Sequence, residues 1–177
     1  MLFKSTVIFS LLASALALPM GSGIEKRALK VQNYSQFSVS GGVAGNALNE
    51  VNAKFPINLQ DPASVSTEDL SILKAARETA EAAEVEAGGF NEAIKAAGGE
   101  KTTDGAALQR GKIKNKVLKL QLQVMALTIE AAQGKDTATK LAAQQKKLAK
   151  NIELDKEATG LASTAINFQG TSQPKRL

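Results

Sequence analysis

From Leu73 to Ala97 the apolar positions step by three and four: Leu73, Ala76, Ala80, Ala83, Ala87, Phe90, Ile94 and Ala97. That period places them on one face of a helix. Ser66-Thr67-Glu68-Asp69 supplies its start, a hydroxyl cap with an acid three positions later. The phase survives Gly88-Gly89, which predicts a kink there, and Gly98-Gly99 ends the helix. Thr103-Asp104 opens the next. Leu108, Gly111, Asn115, Leu118, Leu122, Met125, Ile129 and Ala132 form one stripe, with Ile113, Val117, Leu120, Val124, Leu127 and Ala131 beside it. Two adjacent stripes mark a central helix covered by several neighbours. Gly134 ends it. Asp136 is expected to cap a last long helix, with Ala138, Leu141, Gln145, Leu148 and Ile152 as its seam and fraying near Thr164.

The preceding segments are less regular. A shorter helix is expected to begin in Gly41–Ala47, with Val43, Ala47, Leu48, Val51 and Phe55 on one face, and to stop at Pro56. Residues 57–65 read as a loop carrying Pro62. Residues 28–40, with Val31, Tyr34, Phe37 and Val39 as their apolar points, fit neither period and read as an extended arm across the bundle. Residues 166–177 read as a flexible tail. Short Gly-bearing connections favour antiparallel neighbours, so the expected fold is all-α: an antiparallel helical bundle of about four helices over 41–165, with an extended N-terminal arm.

The beginning of the chain has a different pattern. Met1–Lys4 is a short positive stretch, residues 5–18 are almost continuously apolar, and Ala15-Leu16-Ala17 is a small-x-small cleavage signal. This is the anatomy of a secretory signal peptide over residues 1–17, cut after Ala17. The run is shorter than the roughly 20 residues a membrane anchor needs, and no transmembrane segment is expected in the mature chain. Residues 18–27 read as a short propeptide ending in the dibasic pair Lys26-Arg27, a signature of kexin-type processing, so that the mature chain begins at Ala28. Lys175-Arg176 is a second dibasic pair near the end. Asn33-Tyr34-Ser35 is an N-glycan acceptor sequence, which requires Asn33 to be exposed.

Composition narrows the chemistry. The 177-residue chain has no cysteine and no histidine. Stability therefore cannot come from disulfides, and the usual nucleophile–base pairs and zinc or copper ligand sets are missing. No cofactor or metal is expected, and no catalytic residue. The acids Glu78, Glu81, Glu84 and Glu86 could in principle supply a glycosidase pair, but on an Ala-rich helix they read as a solvated face. Gly41–Gly45 lacks the Lys-Ser/Thr of a phosphate loop. The net charge of +5, about +3 once residues 1–27 are removed, is not the concentrated basic face of a nucleic-acid binder. Folding the central helix back on its predecessor is expected to bring Arg110, Lys116 and Lys119 near Glu92, Glu86 and Glu84, each exposed pair contributing about 0–1 kcal/mol.

The stretch Asn33–Ala47, continuing to Val51 and Phe55-Pro56, together with the leader, resembles the small secreted proteins of filamentous ascomycetes. Some of these are effector candidates toward a host. The resemblance implies compartment and origin and carries no catalytic residues. In class and size alone the chain is also similar to fungal hydrophobic-surface-binding and cell-wall mannoprotein domains. The expected function is that of an extracellular fungal protein acting by binding, effector-like toward a host or partner protein. The alternative is a cell-wall or hydrophobic-surface and lipid binder, with a groove between helices as the seat for a partner.

Overall fold

The computed structural model describes residues 29–175. The expected leader (1–17), the propeptide (18–27) and the processing residues Ala17, Lys26 and Arg27 lie outside them.

The fold is all-α. Helices α1 (Tyr34–Phe37), α2 (Ala47–Lys54), α3 (Thr67–Val85), α4 (Phe90–Ala96), α5 (Thr103–Ala132) and α6 (Ala138–Glu157) are joined by a 3₁₀ turn at Pro62–Ser64 and a small antiparallel ladder of β1 (Gly42–Val43) and β2 (Ala162–Ser163). In the ladder Gly42 pairs with Ser163 and Val43 with Ala162. Helix α5 is the hub, contacting α2, α3, α4, α6 and β2. The broad double stripe explains why: Asn115, Val117, Leu118, Leu120, Leu122, Met125, Leu127 and Ile129 are all buried.

The start of α3 is capped as its sequence predicts, and α5 is capped by Thr102, the residue before the expected Thr103-Asp104 start. Ser66 Oγ accepts from Asp69 N–H at 3.1 Å, and Thr102 Oγ1 accepts from Gly105 N–H at 3.0 Å. Each satisfies an orphan donor of a first turn. The start of α6 differs. Its cap position is Thr137 rather than Asp136, and the Thr137 hydroxyl donates to the Leu127 carbonyl at 3.0 Å, tying the turn back to α5.

Other expectations are corrected. The 66–97 helix does not run through its glycine pair. It divides into α3 and α4 because Gly88 adopts φ +75°, left-handed backbone that ends a helix. Ala87 leaves the seam, while Phe90 and Ile94 return to the interior. The helix expected from Gly41 begins only at Ala47, since Gly42-Val43 is used by the ladder, and Val43 points to solvent. Helix α6 ends at Glu157, short of Thr164, and of its expected seam only Leu148 is fully buried.

The two ends of the described chain are incorporated into the core. The arm is not simply extended: Asn33 N–H donates to Gln36 Oε1 at 2.8 Å, and one helical turn, α1, carries Tyr34 and Phe37 inward. The segment read as a flexible tail is docked over its described part. Tyr34 N–H donates to the Gly170 carbonyl and Ser172 N–H to the Gln32 carbonyl, both at 2.8 Å, with an Asn33–Thr171 bridge between. Aromatic edges complete the joint: Tyr34–Phe37, Tyr34–Phe168 and Phe37–Phe55 are T-shaped, with centroids 5.5, 5.7 and 5.9 Å apart. Such pairs contribute about 0.5–1.5 kcal/mol each beyond their burial.

Candidate functional site

The outer face of α3 and the docked tail enclose a cleft of about 590 Å³, lined by Arg77, Glu78, Thr79, Glu81, Ala82, Val85, Glu86, Thr171, Gln173, Pro174 and Lys175. One wall exists because Ala80 and Ala83 turn inward, which leaves the polar side chains of the helix facing out. The other exists because the tail is held on α3: Thr79 Oγ1 donates to the Thr171 carbonyl at 2.7 Å. Gly170 makes this approach possible, since a Cβ there would lie 2.5 Å from Thr79 Cγ2. The cleft presents carboxylates, two basic side chains and the exposed Val85 side by side.

The four acids singled out in the sequence do not act as one group. Glu78, Glu81 and Glu86 line the cleft, whereas Glu84 is turned into the α3–α5 seam. There Lys119 approaches Glu84 at 2.6 Å and Glu81 at 3.3 Å, and Lys116 approaches Glu84 at 3.3 Å. Burial pushes the Glu84 carboxyl up, but Lys119 and Lys116 outweigh it and hold the group below the usual carboxylate range. Glu84 is thus kept ionised, the opposite of what a general acid requires. At the far end of the same seam Lys74 meets Glu130 at 2.5 Å, which fixes α3 and α5 as antiparallel.

The expected partners of these bases are corrected in part. Lys116 and Lys119 do meet Glu84, but Glu86 faces the cleft. Glu92 accepts from Gly88 N–H at 2.6 Å, in the turn before its own helix. Arg110 Nε donates to the Ala162 carbonyl of β2, so it anchors the ladder rather than pairing with Glu92.

A polar node beneath the ladder was not legible beforehand. Lys114 is completely buried, its Nζ donating to the Gly41 and Val43 carbonyls, both at 2.9 Å, and lying 3.0 Å from Glu50 Oε2. A lysine between Ile113 and Asn115 has no sequence mark of such a place. Asp155 of α6 is also buried and accepts from Gly45 N–H at 3.0 Å and Ala47 N–H at 2.9 Å, capping α2 from another helix. Here Ser163 Oγ donates to the Ser40 carbonyl at 2.6 Å. These groups are mutually satisfied and serve as a fastener. The ladder itself lies against Gly111 of α5, where a Cβ would meet the Thr164 carbonyl oxygen at 2.0 Å.

Asn33 is exposed, as an acceptor asparagine must be, although the rest of its sequon is folded: Tyr34 is buried and its hydroxyl donates to Asn115 Oδ1 at 2.8 Å. Of the second dibasic pair, Lys175 borders the cleft and Arg176 lies outside the described residues. Among the described residues, no group of three or more acidic, histidine or cysteine side chains is placed to hold a metal ion, and no helix is long and apolar enough to cross a membrane. The large apolar side chains left exposed among the described residues are Val31, Val43, Val85 and Leu161. Val43 belongs to the ladder and Leu161 immediately precedes β2, whereas Val31 and Val85 lie near opposite ends of α3.

The sequence profile of a family described as a domain of unknown function, DUF8454, matches residues 29–167. Comparison with curated proteins gave no match, and comparison with solved structures gave none.

Proposed function

The chain belongs to this DUF8454 family, and we propose that it is a secreted protein that acts by binding a partner polypeptide rather than by catalysis, an effector-like component released by a fungus. The observation that carries the reading is the cleft between α3 and the docked tail. Its alternation of carboxylates, bases and small apolar groups suits a peptide backbone with mixed side chains better than a lipid. The scatter of the exposed apolar residues supports the same choice, because adsorption to a hydrophobic solid needs a contiguous patch. The family match starts at Leu29, two residues beyond Arg27, which supports reading the preceding segment as a leader and propeptide.

Two measurements test this. In a culture expressing the native gene, the polypeptide is quantified in the medium and in detergent-stripped wall, with its intact mass read in each. The expected result is free protein in the medium with a mass beginning at Ala28. Retention in the wall, or adsorption to lipid vesicles, would turn the account to the surface-binding alternative. A photo-crosslinker replacing Glu78, in the cleft, is expected to label a bound polypeptide in host extract, whereas one replacing Lys146, on the exposed face of α6, is not. Equal labelling from both positions would remove the cleft from the account.

A further inference from the structure

The described chain begins on a buried carboxylate. Leu29 is almost fully enclosed, and its N–H donates to Asp69 Oδ1 at 2.9 Å. Asp69 is itself buried, in the first turn of α3, where the unpaired backbone N–H groups favour a negative charge. An acid three positions after a Ser cap normally reaches back to its own cap residue. Here Oδ1 accepts from the start of the arm, forty positions earlier in the chain. The dibasic pair Lys26-Arg27 ends two residues before this contact.

We propose that hydrolysis of the Arg27–Ala28 bond creates an α-ammonium that the buried Asp69 carboxylate captures, so that maturation itself locks the arm onto α3. In the cut, water adds its hydroxyl to the Arg27 carbonyl carbon and a proton to the Ala28 nitrogen, which then takes a further proton from solvent. Covalent geometry keeps that nitrogen within about 4 Å of the Leu29 nitrogen, so the new charge arises within reach of Asp69. A buried carboxylate gains most from a fixed cation with donors to spare, and an ammonium supplies three. The arm that follows carries Tyr34 and Phe37 into the core and pairs with the tail that walls the cleft. The lock thereby connects processing to the proposed binding surface. This inference rests on the processing reading given under the proposed function, and the experiment separates the two.

The purified chain carrying its own Lys26-Arg27 is cut in vitro with a dibasic-specific protease, and intact mass identifies the product. The cut chain is then acetylated at its α-amine under mildly acidic conditions that leave the lysines protonated. The expected result is a mass beginning at Ala28 and a thermal midpoint about 2–4 °C lower after acetylation. Asp69→Asn is expected to abolish that difference. Equal midpoints before and after acetylation, or the same drop in Asp69→Asn, would overturn the capture. Where Asp69→Asn does not fold, hydrogen exchange at the Leu29 amide of the unsubstituted chain decides: faster exchange after acetylation is expected, and no change contradicts the lock. A protease that leaves the pair intact would overturn the processing step alone. Capture by Asp69 is then read from a fusion whose removal leaves Ala28 first.

Discussion

The two ends of the described chain and the helix α6 exchange the roles that their sequences suggest. Residues 29–40 and 166–175 have little periodicity and short elements, yet they contribute Leu29, Tyr34, Phe37, Val39 and Ser172 to the interior, with Phe168 packed against it. Helix α6 is long and regular, yet it lies on the outside of α5 and fully buries only Leu148 and Asp155 within its span. Regularity reports how a segment bonds to itself. Burial depends on what the segment can place in a gap left by others, and two aromatic rings on one helical turn fill the space between α2, α3 and α5 better than an Ala- and Lys-rich surface helix. A small apolar payload in the right place outweighs a long, weakly amphipathic one.

The sharpest way to break that comparison is to remove one ring. Phe37→Ala is expected to cost about 3–5 kcal/mol, whereas Leu141→Ala on the half-buried seam of α6 should cost about 1 kcal/mol. Urea denaturation of both variants checks the ranking. The strongest tie of α6 is polar. Asp155→Ala strips two charge-assisted acceptors from the start of α2 and should cost about 2 kcal/mol, with α2 amides losing exchange protection before those of α3. A finer cut is Tyr34→Phe, which keeps the ring in the aromatic joint but leaves Asn115 Oδ1 without its donor. A loss of about 1 kcal/mol is expected, read from the urea midpoint at unchanged slope.

The smallest expected effect is electrostatic and lies along the α3–α5 seam. Burial raises the Glu84 and Glu130 carboxyls, but their lysines (Lys119 and Lys116 for Glu84, Lys74 and Lys135 for Glu130) outweigh it and hold both below the ordinary range. A group whose folded pKa is depressed stabilises the fold above its unfolded value of about 4.3, and that contribution is lost as pH falls through the folded value. Stability should therefore decline as pH falls below about 4, and Glu84→Gln should flatten the decline. Tyr34 responds at the opposite extreme. Burial raises its hydroxyl pKa, outweighing hydrogen bonding from Ser38 and Ser40, so the unfolded chain ionises first and stability should fall above about pH 10.

What the sequence revealed was local. Ser66 caps its helix because hydroxyl, spacing and following acid sit within one turn, whereas the cap of α5 is Thr102, one residue before the Thr103-Asp104 start read from the sequence. The double stripe on α5 identified the hub because a wide apolar face has few other resting places. The break at Gly88 escaped because Phe90 and Ile94 return in phase after it, so the apolar period carries no sign of the interruption. The burial of Lys114 was equally invisible: its acceptors are the Gly41 and Val43 carbonyls, which only the pairing of β1 with β2 brings over α5. The cleft depends on the same kind of long-range fact. Glu78 and Glu81 were evident as an outward helix face, but the opposing wall is residues 171–175, positioned by backbone bonds to Gln32 and Tyr34 that leave no pattern in either segment.

The central claim is that the unperiodic ends are core elements that hold each other in place. Native-state hydrogen exchange on the full chain tests it most directly. The amides of Tyr34 and Ser172, which donate to the Gly170 and Gln32 carbonyls, are predicted to exchange only through openings as costly as those that release the centre of α5, and more slowly than the outer-face amides of α6. Exchange of Tyr34 and Ser172 ahead of α6, at rates typical of an exposed loop, would contradict the account.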